Sequence, residues 1–229
     1  MNRYQATARP LVAQTESVND ILWVTYRWMS VGLGITGLVA WLVSQSPAAL
    51  ELVVGNRIVF YGLLIAQLGI VLAFNPVAAR ASAAVTGAMF FTYAALTGLT
   101  FSVLFLLYTS SSIASTFLVT GGAFAGLSVF GAVTHRDLSG VGRFAIFALI
   151  GLIIASVVNI FLASSALLWV TTFAGVAIFA ALTAYDTQKL KALYMAGAGG
   201  NLALRGALTL YLDFVNMFLF MLRLFGRRR

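Results

Sequence analysis

Along the chain, apolar stretches of about the length needed to cross a bilayer's hydrocarbon core as helix, roughly 20 residues, alternate with short polar breaks. The windows lie near residues 21–43, 58–74, 83–107, 113–133, 141–163, 167–185 and 206–225. They predict seven transmembrane helices. The breaks are made of residues that favour turns or interfaces: Ser44-Gln45-Ser46-Pro47, Asn75-Pro76, Tyr108 to Ser112, His135 to Gly140, Ser164-Ser165 and Gly197 to Asn201. Loops this short join antiparallel neighbours in a compact bundle. The expected organisation is a polar N-terminal tail, residues 1–20, followed by a single transmembrane domain, residues 21–229. The tail has no apolar core of a cleaved signal peptide.

Composition agrees with lipid as the solvent. Hydrophobic residues make up 61% and charged residues 9% of the 229 positions, whereas soluble domains carry roughly 25% charged residues. The net charge of +8 would suggest nucleic acid on a soluble protein. Here most basic residues sit between apolar windows, where they act as topology signals and headgroup contacts, so nucleic acid binding is discarded. The absence of cysteine excludes disulfides, thiol catalysis and thiolate metal sites.

Basic residues in short loops mark the cytoplasmic side. The loops after spans two, four and six hold Arg80, Arg136, Arg143, Lys189, Lys191 and Arg205, whereas those after spans one, three and five hold Arg57 alone. The N-terminus is therefore expected in the cytoplasm. Seven crossings then carry Arg223 and Arg227-Arg228-Arg229 to the far side, against the same rule; six crossings with a re-entrant segment would remove the conflict. Seven is the expectation adopted.

Acids within the spans are costly, about 2.5 to 3.5 kcal/mol for an aspartate at the helix centre. Two stand out: Asp186 at the end of span six and Asp213 inside span seven, each thirteen residues from the Gly199-Gly200 pair. An antiparallel hairpin turning there brings the two to similar depth. Two carboxylates in one low-dielectric site cannot both ionise cheaply, so they would share one proton and form a pH-sensitive latch. The competing expectation is separate pairing, Asp186 with Lys189 or headgroups and Asp213 with Arg205 or Arg27.

Other residues are read as structural. Arg27, between Tyr26 and Trp28, snorkels at an interface, and Arg143 anchors span five. His135, the sole histidine, is a solvated loop residue, with Asp137 capping the following helix. Gly122 with Gly126, and Gly32, Gly34 and Gly37, are expected to mediate close helix packing. Thr92, Tyr93, Thr97, Thr100, Ser102, Ser156, Asn159 and Asn216 are as well suited to bonding within their own helices as to lining a wet path.

Several activities are excluded. Lys189 and Lys191 fall in a loop, not in a span as a retinal Schiff base requires. No serine protease pair, HExxH motif or phosphate-binding P-loop is present. No enzymatic activity and no bound cofactor is expected; the expected partner common to all readings is the lipid bilayer.

Two blocks, Thr183-Ala184-Tyr185-Asp186-Thr187-Gln188-Lys189-Leu190-Lys191 and Ala207 to Asn216, together with Arg136-Asp137-Leu138-Ser139-Gly140 and Leu222-Arg223-Leu224-Phe225-Gly226, resemble the Bax inhibitor-1 family, in its bacterial branch. The resemblance implies a seven-helix bundle with the last helix central, in the inner membrane. It further implies a pH-responsive calcium leak controlled by an aspartate pair that maps onto Asp186 and Asp213, with transient cation contact there. Some relatives add a glutamate on the second helix and an arginine near its end; this chain has Gln67 and, further on, Arg80. Other bacterial relatives restrain a membrane-embedded AAA protease, which gives the alternative of a regulatory interaction protein. Oligomeric state follows from none of these features.

Overall fold

A computed structural model describes the backbone from Arg3 and the side chains from Asn19 to the last residue, Arg229. The helices are α1 (Arg3–Ser44), α2 (Pro47–Leu50), continued by a π-helical turn (Glu51–Gly55), α3 (Arg57–Ala78), α4 (Ala83–Phe101), α5 (Leu104–Leu107), α6 (Ser110–Val133), α7 (Ser139–Leu162), α8 (Ser165–Met195) and α9 (Leu202–Phe225). Among the described residues, seven helical segments are long and apolar enough to cross a membrane, the first over Asn19–Ser44 and the third over Ala83–Leu107. The chain is an all-α, multi-span membrane protein.

The turn residues act through identifiable bonds. Ser46, Ser82, Thr109 and Ser164 each accept a backbone N–H three residues on at 3.3 Å, and Asn56 Oδ1 accepts from Ile58 and Val59. These caps satisfy helix-start N–H groups that have no partner within the helix. The α7–α8 connection is closed by Ala163 in the left-handed region (φ 48°) and by Asn159 Oδ1, which accepts the Ser164 N–H at 2.9 Å.

Two boundaries differ from expectation. The Asn75-Pro76 break is instead the last turn of α3, which continues to Ala78. Phe74 and Ala78 are fully buried, so packing holds helical geometry past the proline. α8 runs ten residues beyond Tyr185, which places Lys189 and Lys191 on a helix and not in a loop. Lys191 Nζ donates to the Ala132 carbonyl at 3.0 Å, satisfying an acceptor at the end of α6.

α9 is the central helix. Its hydrophobic window is 56% buried, against 39% for the next most buried span, and it packs on α8, α1, α6, α4 and α3. α7 is peripheral and rests on α8. Glycine sets two of the closest approaches: a Cβ at Gly131 would collide with the Ala184 backbone, and one at Gly206 would lie 2.8 Å from Leu190 Cδ1. Of the glycines expected to mediate packing, Gly32 does so against Phe90, whereas Gly34, Gly37, Gly122 and Gly126 have no neighbour within 4 Å of a built Cβ. The Gly122/Gly126 face is exposed, so among the described residues it seats no helix.

Hydrogen bonds between loops define two ends of the bundle. Asn201 Nδ2 reaches the carbonyls of Ala78 and Ala81, so the α8–α9 and α3–α4 loops share one end, here the hairpin end. Thr109 N–H donates to the Arg227 carbonyl at 3.1 Å and Arg229 N–H to that of Leu107 at 3.0 Å. The C-terminus therefore lies beside the α5–α6 loop at the opposite end, the tail end, as seven crossings require.

Candidate functional site

The α8–α9 turn reverses the chain at three positions: Gly197 (φ 74°), Gly200 (φ 70°) and Asn201 (φ 51°) occupy the left-handed region, which glycine adopts freely and asparagine tolerates. The two helices then run back along each other. Gly206 lets Leu190 press against the α9 backbone, drawing the pair together just before the acids. Asp186 and Asp213 face each other across this contact, near enough for each carboxyl to act on the other.

Their surroundings differ. Asp213 is only 4% exposed, and among the described residues its Oδ2 atom has no hydrogen-bond partner. The charged group that acts on it is Asp186. Asp186 is half-buried; it feels the charge of Lys189 as well as the contact with Asp213, and it lines a cavity of about 110 Å³ with Asn75, Lys189, Arg205, Thr209 and Leu210. One carboxyl thus faces a polar vestibule at the hairpin end while the other is sealed behind it.

Of the basic residues expected as partners, Lys189 bears on Asp186 through its charge, whereas Arg205 and Arg27 are placed elsewhere. Lys189 is exposed, with Nζ 5.6 Å from the Tyr185 ring centroid. Arg205 Nε donates to Asn75 Oδ1 at 3.1 Å, bridging α9 to the end of α3. The Arg27 side chain is exposed, in keeping with snorkelling. The Asn75 contact escaped sequence reasoning because Asn75-Pro76 reads as a turn.

The loop before α7 is fastened beside the acids. Gln188 Oε1 accepts the Leu138 N–H and its Nε2 donates to the Arg136 carbonyl, both at 2.9 Å. His135 is exposed. Asp137 Oδ1 accepts the Ser139 N–H at 2.8 Å, while Leu138 holds the N-cap position of α7. The Ser139 side chain and backbone hold the exposed Asp137 carboxyl below its ordinary value.

Most polar residues of the spans bond within their own helices: Thr100, Ser102 and Asn216 all donate to carbonyls of the preceding turn. Thr97 donates likewise to Tyr93 and also reaches Gln67 Oε1 at 3.3 Å. Among the described residues, no group of three or more His, Cys, Asp or Glu side chains could hold a metal ion.

The sequence blocks that build this hairpin fall within a family match. The model for the family described as inhibitor of apoptosis-promoting Bax1 covers residues 18–229. The chain belongs to this family. Similar members include the inner membrane protein YbhL of Escherichia coli K12, 50% identical over 210 residues that cover 89% of this chain and 90% of that protein. An uncharacterized protein of Deinococcus radiodurans is 45% identical over 93% of each chain, and the uncharacterized protein RP147 of Rickettsia prowazekii is 40% identical over 93% of this chain and 92% of its own. The Bax1 family match runs through the tail-end contacts of Arg227 to Arg229.

Proposed function

We propose that this protein is a passive, proton-gated leak for calcium in a bacterial inner membrane, with its N-terminus in the cytoplasm and with Asp186 and Asp213 as the gate. One observation supports the reading: two carboxyls face each other in the protein interior, Asp186 lining a vestibule and Asp213 buried with an oxygen that has no hydrogen-bond partner among the described residues. At acid pH the pair shares a proton and holds α9 against α8. As pH rises, the second carboxyl ionises, like charges repel at low dielectric, and oxygen ligands preferred by hard cations become available. Calcium itself comes from the family resemblance, and the inner membrane is supported by the E. coli relative's name.

The test is calcium flux into vesicles holding the purified protein, across a pH series. Asp186→Asn and Asp213→Asn should each flatten the pH dependence. Unchanged magnitude and pH profile in both variants would remove the latch.

A second reading, regulation of a membrane-embedded AAA protease, is favoured by an apolar groove of about 540 Å³ between α1 and α6, lined by Trp23, Tyr26, Met29, Gly121, Ala125 and Ser128 among others. Among the described residues Ser128 Oγ has no hydrogen-bond partner, and small residues on a lipid-facing wall allow close approach of another helix. Filling the groove with Ala125→Leu should then weaken co-purification with the protease and spare flux; unaltered co-purification would count against it.

A further inference from the structure

Two residues of α9 upstream of Asp213, the Tyr211 side chain is wholly buried and crosses towards α1. Its hydroxyl lies 2.6 Å from Thr36 Oγ1. That oxygen is also 2.9 Å from the Ala94 carbonyl and 3.0 Å from the Gly32 carbonyl. Carbonyls only accept, so the threonine proton is committed to them and the Tyr211 O–H donates into Thr36. Thr97 is a further polar neighbour of the tyrosine hydroxyl, and Gln67 Oε1 lies beyond it.

The position of this bond matters more than its strength. The vestibule of Asp186 reaches α9 at Gly206, Thr209 and Leu210. A second cavity, of about 80 Å³, meets α9 at Phe214, Val215 and Phe218 and is also lined by Thr36 and Gly37. Along α9, Tyr211 falls between Leu210, which lines the first cavity, and Phe214, which lines the second, a rise of about 6 Å in an α-helix. Its ring is wedged edge-on between Phe90, 5.7 Å away, and Tyr93, 5.8 Å away. Gly32 makes room for this wedge, since a Cβ there would lie 2.6 Å from the Phe90 ring.

We propose that the Tyr211–Thr36 hydroxyl pair is a second gate, in series with the aspartates, which limits passage of a hard cation between the two cavities once the aspartate pair has opened. The inference rests on the leak reading above. Its chemistry is distinct: the gate is neutral, it presents oxygens and no charge, and it sets throughput while leaving the pH at which the first gate opens untouched.

Tyr211→Phe and Thr36→Val remove one oxygen each and preserve shape. Each should raise calcium flux at alkaline pH severalfold without moving the pH midpoint, and the double variant should add little because each single variant already breaks the Tyr211–Thr36 bond. Thr36→Ser, which keeps the hydroxyl, should fall closer to wild type than Thr36→Val. Because the chain has no cysteine, the barrier can also be read without flux. Gly37→Cys lines the tail-end cavity in open space. A water-soluble thiol reagent applied at the hairpin end at alkaline pH should modify it in the Tyr211→Phe background and leave it unmodified with Tyr211 present. Equal labelling in the two backgrounds, or flux unchanged or lowered by the single variants, overturns the second gate. Failure of the leak reading appears separately, as flux indifferent to Asp186→Asn and Asp213→Asn.

Discussion

The Arg227 backbone N–H donates to the Ser112 hydroxyl at 2.9 Å, tying the last residues of the chain to the first turn of α6. Around that bond, Tyr108 and Arg228 form an antiparallel bridge, and Gly226 fits against the Tyr108 ring, where a Cβ would lie 2.6 Å from Cδ1 and would also collide with the Leu222 carbonyl. The arginine-rich terminus is therefore built into the tail end of the bundle. A Gly226→Val substitution should cost about 1 to 3 kcal/mol, the range for overpacking, read as a lower midpoint of thermal unfolding in detergent. Cysteines placed at exposed Ser111 and after Arg229 should react with an impermeant reagent from the same side of the membrane. Reaction from opposite sides would contradict seven crossings.

Asn201 combines a left-handed backbone with three contacts, from Nδ2 to the Ala78 carbonyl (3.1 Å), the Ala81 carbonyl (2.9 Å) and Thr86 Oγ1 (3.0 Å). Asn201→Gly keeps the backbone and loses the bonds, whereas Asn201→Ala loses both. Each variant leaves buried or half-buried acceptors unpaired, at about 1 to 3 kcal/mol, and alanine should be the worse by up to about 1 kcal/mol because it resists positive φ. Thermal unfolding of both variants checks this. Equal stability of Asn201→Gly and wild type would mean that the side chain bonds contribute nothing.

The same turn explains which features were legible in the sequence. Window length and charge placement located all seven spans, because hydrocarbon thickness is a one-dimensional constraint that a linear pattern can satisfy. The equal spacing of Asp186 and Asp213 about Gly199-Gly200 could be read because the hairpin is local. Features that depend on which helix faces meet were not available in this way. Gly122 and Gly126 spell a packing motif, yet their face is exposed. Pro76 looks like a break, yet buried Phe74 and Ala78 carry the helix past it. The Tyr211–Thr36 bond joins residues 175 positions apart, and no periodicity links them.

Asp137 gives a pH effect with a definite sign. Its carboxyl is held below the ordinary 3.8 by the Ser139 side chain and backbone, with a smaller contribution from Arg143. A depressed native value stabilises the fold above the unfolded value, and that contribution disappears as pH falls through the native one. Asp137→Ala should therefore unfold at a lower temperature than wild type near neutral pH, and the two melting curves should converge as the solution is acidified below pH 3.8. A gap that persists unchanged at acid pH would assign the effect to something other than ionisation.

The aspartate pair predicts the opposite pH trend, and stability can test it independently of transport. With both carboxyls ionised, two like charges in close contact at an effective dielectric constant near 20 repel by an energy on the order of 4 kcal/mol. Asp213 cannot escape into solvent, being 4% exposed. Wild-type protein should therefore lose thermal stability as pH is raised through the titration of the pair. Asp213→Asn places a neutral amide against Asp186: its N–H can donate to the remaining carboxylate, and no second charge appears. The variant should melt above wild type at alkaline pH and close to it at acid pH, where the wild-type pair already holds a proton. If wild type and Asp213→Asn keep parallel stability across the whole range, the two carboxyls do not share a proton, and separate partners for Asp186 and Asp213 become the better account.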